Sequence, residues 1–116
     1  ILTDNTHKGS IQNITGGDDA LLPVVDISKN INSQSTPAFI WTTVNDGAVP
    51  SESSLELAYA YKRAGVPFEL HMFENGQHGL STATEEVNTP NSAVSVWISL
   101  SLTWLKNRGF VHSIKE

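Results

Sequence analysis

A chain of 116 residues, 39% apolar or aromatic and 16% charged, has the length and composition of one globular domain with a modest core, not of a disordered tail. Its net charge of −5, with no long run of one sign, gives no support to a nucleic-acid or anionic-membrane partner, both of which favour a basic surface. The absence of cysteine excludes disulfides, thiolate zinc sites and cysteine nucleophiles, and it is compatible with the cytoplasmic setting expected here.

No apolar run reaches the roughly 20 residues of a membrane span. The start, Ile1-Leu2-Thr3-Asp4, has neither the basic flank nor the apolar region of a signal peptide. It also lacks an initiator methionine, so the expectation is that the chain lies inside a longer protein. Asn13-Ile14-Thr15 fits a glycosylation acceptor, but such triplets are common by chance and no secretion signal accompanies it.

Residues 1–36 are polar and turn-rich, as in Thr6-His7-Lys8-Gly9-Ser10 and Gly16-Gly17-Asp18-Asp19, and read as a connecting segment with a helical turn or two. Pro23 argues against a long helix through Ala20–Val25. The organised part, 37–116, starts with the nearly continuous apolar and β-branched run Ala38-Phe39-Ile40-Trp41-Thr42-Thr43-Val44. Without period-2 alternation, that run predicts a strand over about 37–44, covered on both faces as in a parallel sheet.

Asn45-Asp46-Gly47 breaks the strand, and Ser51 stands as N-cap of a helix over about 51–64. Glu52 in its first turn and Lys62 and Arg63 in its last match the helix dipole. Leu55, Ala58, Tyr59 and Lys62 form one stripe with Leu57, Tyr61 and Ala64 beside it, and Gly65 suits the C′ position. After Pro67, Phe68-Glu69-Leu70-His71-Met72-Phe73 predicts a second strand over about 67–73, completing a right-handed strand–helix–strand unit. A last helix is predicted over about 92–108, with Val94, Trp97, Ile98, Ser101 and Leu105 on one face, Leu102 and Trp104 widening it, and Gly109 ending it. The fold class is α/β, a short parallel sheet with a crossover helix.

In such sheets reactive groups gather beyond the carboxyl ends of the strands. Asp46 follows the first strand and His78, in Gly76-Gln77-His78-Gly79, follows the second. The two are 32 positions apart, about one strand–helix–strand unit. Adjacent parallel strands lie ~4.8 Å apart, so a carboxylate–imidazole hydrogen bond is within reach. Such a bond fixes the tautomer and stabilises the imidazolium while the other ring nitrogen moves a proton. Taken singly, an Asp before Gly is most often a turn former and a His between glycines a loop residue; the pair at the ends of consecutive strands carries the argument. His71 reads as a half-buried strand residue, His7 as part of a polar loop and His112 as a residue past the last helix. No cluster has metal-ligand spacing, and neither metal nor cofactor is implied.

From about Thr36 to Phe110 the chain resembles the carboxyl-terminal part of the α/β-hydrolase superfamily. The likeness is nearest to bacterial acetyl-esterase and lipase-like enzymes, relatives of dienelactone hydrolases and prolyl-oligopeptidase catalytic domains. It rests on TPAFIWTTVNDGAVP, SLELAYAYKRAGVPFELHMFENGQHGLS and the closing VWISLSLTWLKNRGF, in that order. The resemblance implies that Asp46, in the D-x-x-V-P turn, is the triad acid, and that His78, in the G-x-H-G turn, is the triad base. No chemistry attaches to Asn45. The family nucleophile is a serine in a G-x-S-x-G elbow, with chain order Ser, Asp, His. This sequence has no G-x-S-x-G and no upstream oxyanion loop; Ser10 has one glycine before it and no preceding buried strand.

The expectation is therefore a piece of a serine ester hydrolase acting on short-chain acyl esters, inert by itself. A half-enzyme completed by an upstream polypeptide, a peptidase of the prolyl-oligopeptidase branch, and a binding-only domain are the alternatives. The first strand would be left without one neighbour, an edge through which the chain self-associates or pairs with an upstream half.

Overall fold

The computed structural model describes residues 5–111; Ile1-Leu2-Thr3-Asp4 and His112 lie outside them. The chain divides into two compact units, one up to His78 and the other from Gly79 onward.

In the first unit, the apolar run after Pro37 forms β1, Ala38–Thr43, and the run after Pro67 forms β2, Phe68–Phe73. They pair in parallel, from Ala38 opposite Phe68 to Thr43 opposite Phe73. Because paired residues share parity, the two sets of side chains separate cleanly by face. Phe39, Trp41 and Thr43 lie with Glu69, His71 and Phe73. Ala38, Ile40 and Thr42 lie with Phe68, Leu70 and Met72. On the first face Phe39 and His71 have ring centroids 5.3 Å apart, and Trp41 meets Phe73 edge-on at 6.4 Å.

The strands are less covered than a continuous apolar run implies. All of β2 and all of β1 except Thr43 are only half-buried. The physical reason is that the sheet has two strands among the described residues, so each keeps one unpaired edge.

The crossover helix α4 spans Glu52–Ala64, with Glu52 in its first turn and Lys62 and Arg63 in its last. Ser51 stands at the cap position, but its backbone is already helical and its side chain caps nothing; the hydroxyl instead reaches the Val44 carbonyl at 3.4 Å. The buried face also differs from the Leu55–Tyr59 stripe. Ala58, Ala60 and Tyr61 are buried, whereas Leu55 and Tyr59 are exposed, and the Arg63 guanidinium lies over the Tyr59 ring at 5.5 Å. The helix had two adjacent apolar stripes to offer. The one taken has small alanines for close approach and Tyr61, whose ring meets Phe68 at 6.2 Å while its hydroxyl donates to the Thr36 carbonyl at 3.0 Å.

Ahead of β1 the segment is more helical than a connecting stretch with a turn or two. It holds α1, Lys8–Thr15, a 3-10 turn at Asp19–Leu21, α2, Leu22–Val25, and α3, Ile27–Asn30. Side-chain caps start two of these pieces, Asp18 accepting from the Ala20 N–H and Asp26 from the Ser28 N–H. Pro23 sits in the first turn of α2, the place in a helix where its missing N–H costs nothing. Thr15 is buried, its hydroxyl donating to the Ile11 carbonyl and accepting from the Gly17 N–H, so it serves the end of α1.

In the second unit the closing helix is broken into α5, Ser92–Ser95, and α6, Trp97–Asn107. The join at Val96 has a ψ of −16°, and the Ser95 hydroxyl bonds the Ser92 carbonyl, a local alternative to the helical ladder. Asn91 caps α5 through the Val94 N–H. Val94 is fully buried; Trp97, Ile98, Ser101, Trp104 and Leu105 are half-buried, and Leu102 is exposed. No helix among the described residues is long and apolar enough to cross a membrane.

Gly65 ends α4 in the left-handed region at φ 71°, and a Cβ added there meets nothing within 4 Å. Gly65→Ala should therefore destabilise the fold by about 1 kcal/mol through backbone conformation alone, and Gly65→Asn by less. Urea unfolding of the two variants checks this.

Candidate active site

The ladder of β1 and β2 continues one bond beyond the strands, the Val44 N–H donating to the Phe73 carbonyl at 2.8 Å. Both segments then turn, and their side chains take over the cross-linking. The Thr43 hydroxyl donates to the Gly76 carbonyl at 2.6 Å, and the Gly76 N–H donates to Asn45 Oδ1 at 2.7 Å. Asn45 Nδ2 lies 3.2 Å from Asn75 Oδ1.

Beyond these bonds stand Asp46 and His78. Asp46 Oδ1 accepts from the N–H groups of Ala48 and Val49, each at 2.9 Å, closing the turn. Asp46 Oδ2 faces His78 Nδ1 at 2.9 Å. The turn-closing bonds and the imidazole contact thus coexist, each on its own carboxylate oxygen. Since an ionised carboxylate only accepts, the bond requires a proton on His78 Nδ1. The side chain of Asp46 is 13% exposed and that of His78 56%, so the carboxylate is sheltered while the imidazole is open to a reactant.

Partial burial pushes the Asp46 carboxyl up, but the Val49 N–H, the His78 bond, the Ala48 N–H and the His78 charge together outweigh it. The carboxyl lies below its ordinary 3.8. It stays ionised at neutral pH, the state that orients an imidazole and steadies its protonated form.

The other histidines have separate roles. His71 Nε2 lies 2.7 Å from Glu69 Oε1 on the half-buried face of β2. His7 stands at the start of α1, its Nδ1 3.2 Å from Ser10 Oγ, an exposed pair three residues apart. Ser10 is thus engaged by His7. No group of three His, Cys, Asp or Glu side chains among the described residues could hold a metal ion.

Two residues contributing to this arrangement escape sequence reasoning. Thr43 reads as one residue of an apolar and β-branched run and Asn45 as part of the break after it, yet both bond the loop that carries His78. The legible signal was a pair of side-chain hydrogen-bonding groups flanking the strand end, next to the acid.

The parallel strand–helix–strand unit is a partial α/β-hydrolase fold, as its likeness to solved α/β-hydrolases shows. Residues 18–110 match the prolyl oligopeptidase family, and the chain belongs to that family. Among solved structures it resembles an acetyl ester–xyloside bifunctional hydrolase from Caldicellulosiruptor lactoaceticus, at 36% identity and a TM-score of 0.81, covering 91% of this chain and 38% of that one. A carboxylesterase from Lactobacillus plantarum follows at 28% identity and a TM-score of 0.78, covering 90% and 39%. A curated relative, endo-1,4-beta-xylanase B from Butyrivibrio fibrisolvens, is 34% identical over 83 residues, 70% of this chain and 13% of that protein. The chain thus spans well under half the length of these relatives.

The depressed acidity of Asp46 makes a signed prediction. Its contribution to stability is fully present above the ordinary carboxyl value of 3.8 and is lost as pH falls through the lower folded-state value. Asp46→Asn should be less stable than the parent at pH 7, by about 1 kcal/mol or more. The gap should narrow as pH falls below 3.8 and through the lower folded-state value, as chemical denaturation over acid pH would show.

Proposed function

We propose that this chain supplies the acid and the base of a serine ester hydrolase, Asp46 orienting His78 and His78 acting as general base. The observation that carries the reading is the 2.9 Å bond between Asp46 Oδ2 and His78 Nδ1 beyond the ends of two parallel strands. In this reading residues 37–116 are the carboxyl-terminal part of an α/β-hydrolase catalytic domain, with 1–36 leading into it. The nucleophilic serine and the oxyanion donors come from polypeptide outside this sequence, which contains no G-x-S-x-G.

With those parts supplied, the serine hydroxyl loses its proton to His78 Nε2 as its oxygen bonds the ester carbonyl carbon. The protonated imidazole, steadied by Asp46, then passes the proton to the departing alcohol oxygen. Water repeats the cycle on the acyl-enzyme and releases the carboxylic acid. The substrate class is a short-chain acyl ester, with sugar-borne acetyl groups the favoured instance. That preference rests on the names of the relatives, an acetyl ester–xyloside hydrolase, a carboxylesterase and a xylanase. A cytoplasmic setting belongs to the same reading, motivated by a sequence without cysteine.

Peptide-bond cleavage is the second reading, favoured by membership of the prolyl oligopeptidase family. Both are tested in a chimera in which this chain replaces the matching part of the Caldicellulosiruptor lactoaceticus hydrolase. The chimera should cleave nitrophenyl acetate and leave a prolyl nitroanilide untouched; a gain of prolyl nitroanilide cleavage over the parent hydrolase would favour the peptidase. In the chimera, Asp46→Asn should lower kcat by about 10⁴-fold and His78→Ala by about 10⁶-fold. The chain alone should hydrolyse neither compound, and alone it should self-associate through the open edge of β1. A concentration-independent monomer in light scattering would count against that last point.

A further inference from the structure

Resting on the hydrolase reading above, we infer that Thr43 and Asn45 are positioning residues for His78, acting together as a clamp on the backbone of Gly76. The two sides of this glycine are held by different residues. Its carbonyl accepts from the Thr43 hydroxyl at 2.6 Å, and its N–H donates to Asn45 Oδ1 at 2.7 Å. Those groups belong to successive peptide units, so the clamp fixes the chain direction on both sides of Gly76, two residues before His78.

The clamp is anchored where it matters. Thr43 is the last residue of β1 and is buried at 3% exposure, while Asn45 is the immediate neighbour of Asp46. The acid and the grip on the histidine loop therefore sit on one four-residue span, 43–46. Any shift of that span moves both together, which preserves the distance between carboxylate and imidazole. A histidine more than half exposed, on a loop outside regular structure, needs such an anchor. Among the described residues its side chain bonds Asp46 itself.

The chemistry of the two roles differs. Thr43 must donate, so serine can replace it and valine, of the same shape, cannot. Asn45 must accept from an N–H, so aspartate can replace it and alanine cannot. The Asn45 Nδ2 contact with Asn75 is the dispensable half of the side chain.

The test reads the imidazole directly in the purified 116-residue chain, by nitrogen-15 NMR of His78 and by solvent exchange of its Nδ1 proton. The parent should show the Nδ1–H tautomer with a protected proton. In Thr43→Val and Asn45→Ala that proton should exchange about tenfold faster, with the tautomer balance moving toward Nε2–H. Thr43→Ser and Asn45→Asp should restore the parent spectrum. If Thr43→Val loses the fold by circular dichroism, the Asn45 pair, on an exposed turn, decides alone. Asp46→Asn separates the two layers of the argument. If it leaves the spectrum unchanged, the acid–base reading fails; if it abolishes the signature while Asn45→Ala does not, the clamp is wrong and the reading stands.

Discussion

The parallel pairing of β1 with β2, residue for residue from Ala38 opposite Phe68 to Thr43 opposite Phe73, is the constraint on which the rest depends. Because the strands are in step and run the same way, they end together, and the chain leaves both at one edge. An antiparallel arrangement would send the two following turns to opposite ends. The connection this demands, a crossover helix between the strands, is what α4 provides, held to the sheet through Tyr61, Phe68 and the Thr36 carbonyl.

Beyond that shared edge, order passes from backbone to side chains. Backbone pairing stops after Val44, and Thr43, Asn45 and Asp46 then each bond the segment from Gly76 to His78. Each bond is short, so side chains tie a segment outside regular structure to the end of β1. Asp46 is the most economical part. Its Oδ1 closes the turn with two N–H donors, which fixes the carboxylate plane and leaves Oδ2 aimed at the imidazole. The same N–H bonds help hold the carboxyl below its ordinary value, so orientation and charge state have a common origin.

The half-buried strands express the partial character of the fold. Two strands bury less than the many-stranded sheets in which continuous apolar runs such as Ala38–Val44 normally sit. That excess apolarity fits a chain matching 38% and 39% of the lengths of its solved relatives. The exposed Leu55 and Tyr59 show the same mismatch between what the sequence offers for burial and what the described residues cover.

Strand positions, the crossover helix and its C-terminal glycine were legible in the sequence, because each is a local pattern, whereas Asp46 and His78 stood out only as a pair set by the two strands. Composition, periodicity and turn chemistry need no knowledge of distant residues. Other features were decided only in three dimensions. On α4 it is Ala58, Ala60 and Tyr61 that are buried rather than Leu55 and Tyr59, because the choice depended on which side the sheet could approach closely. The region before β1 formed three helices and a 3-10 turn, and the last helix divided at Val96, through side-chain bonds whose strength depends on geometry. The bonds from Thr43 and Asn45 to Gly76 were decided in three dimensions for the same reason. A hydrogen bond spanning 31 or 33 residues exists only once the two strands have been brought into register.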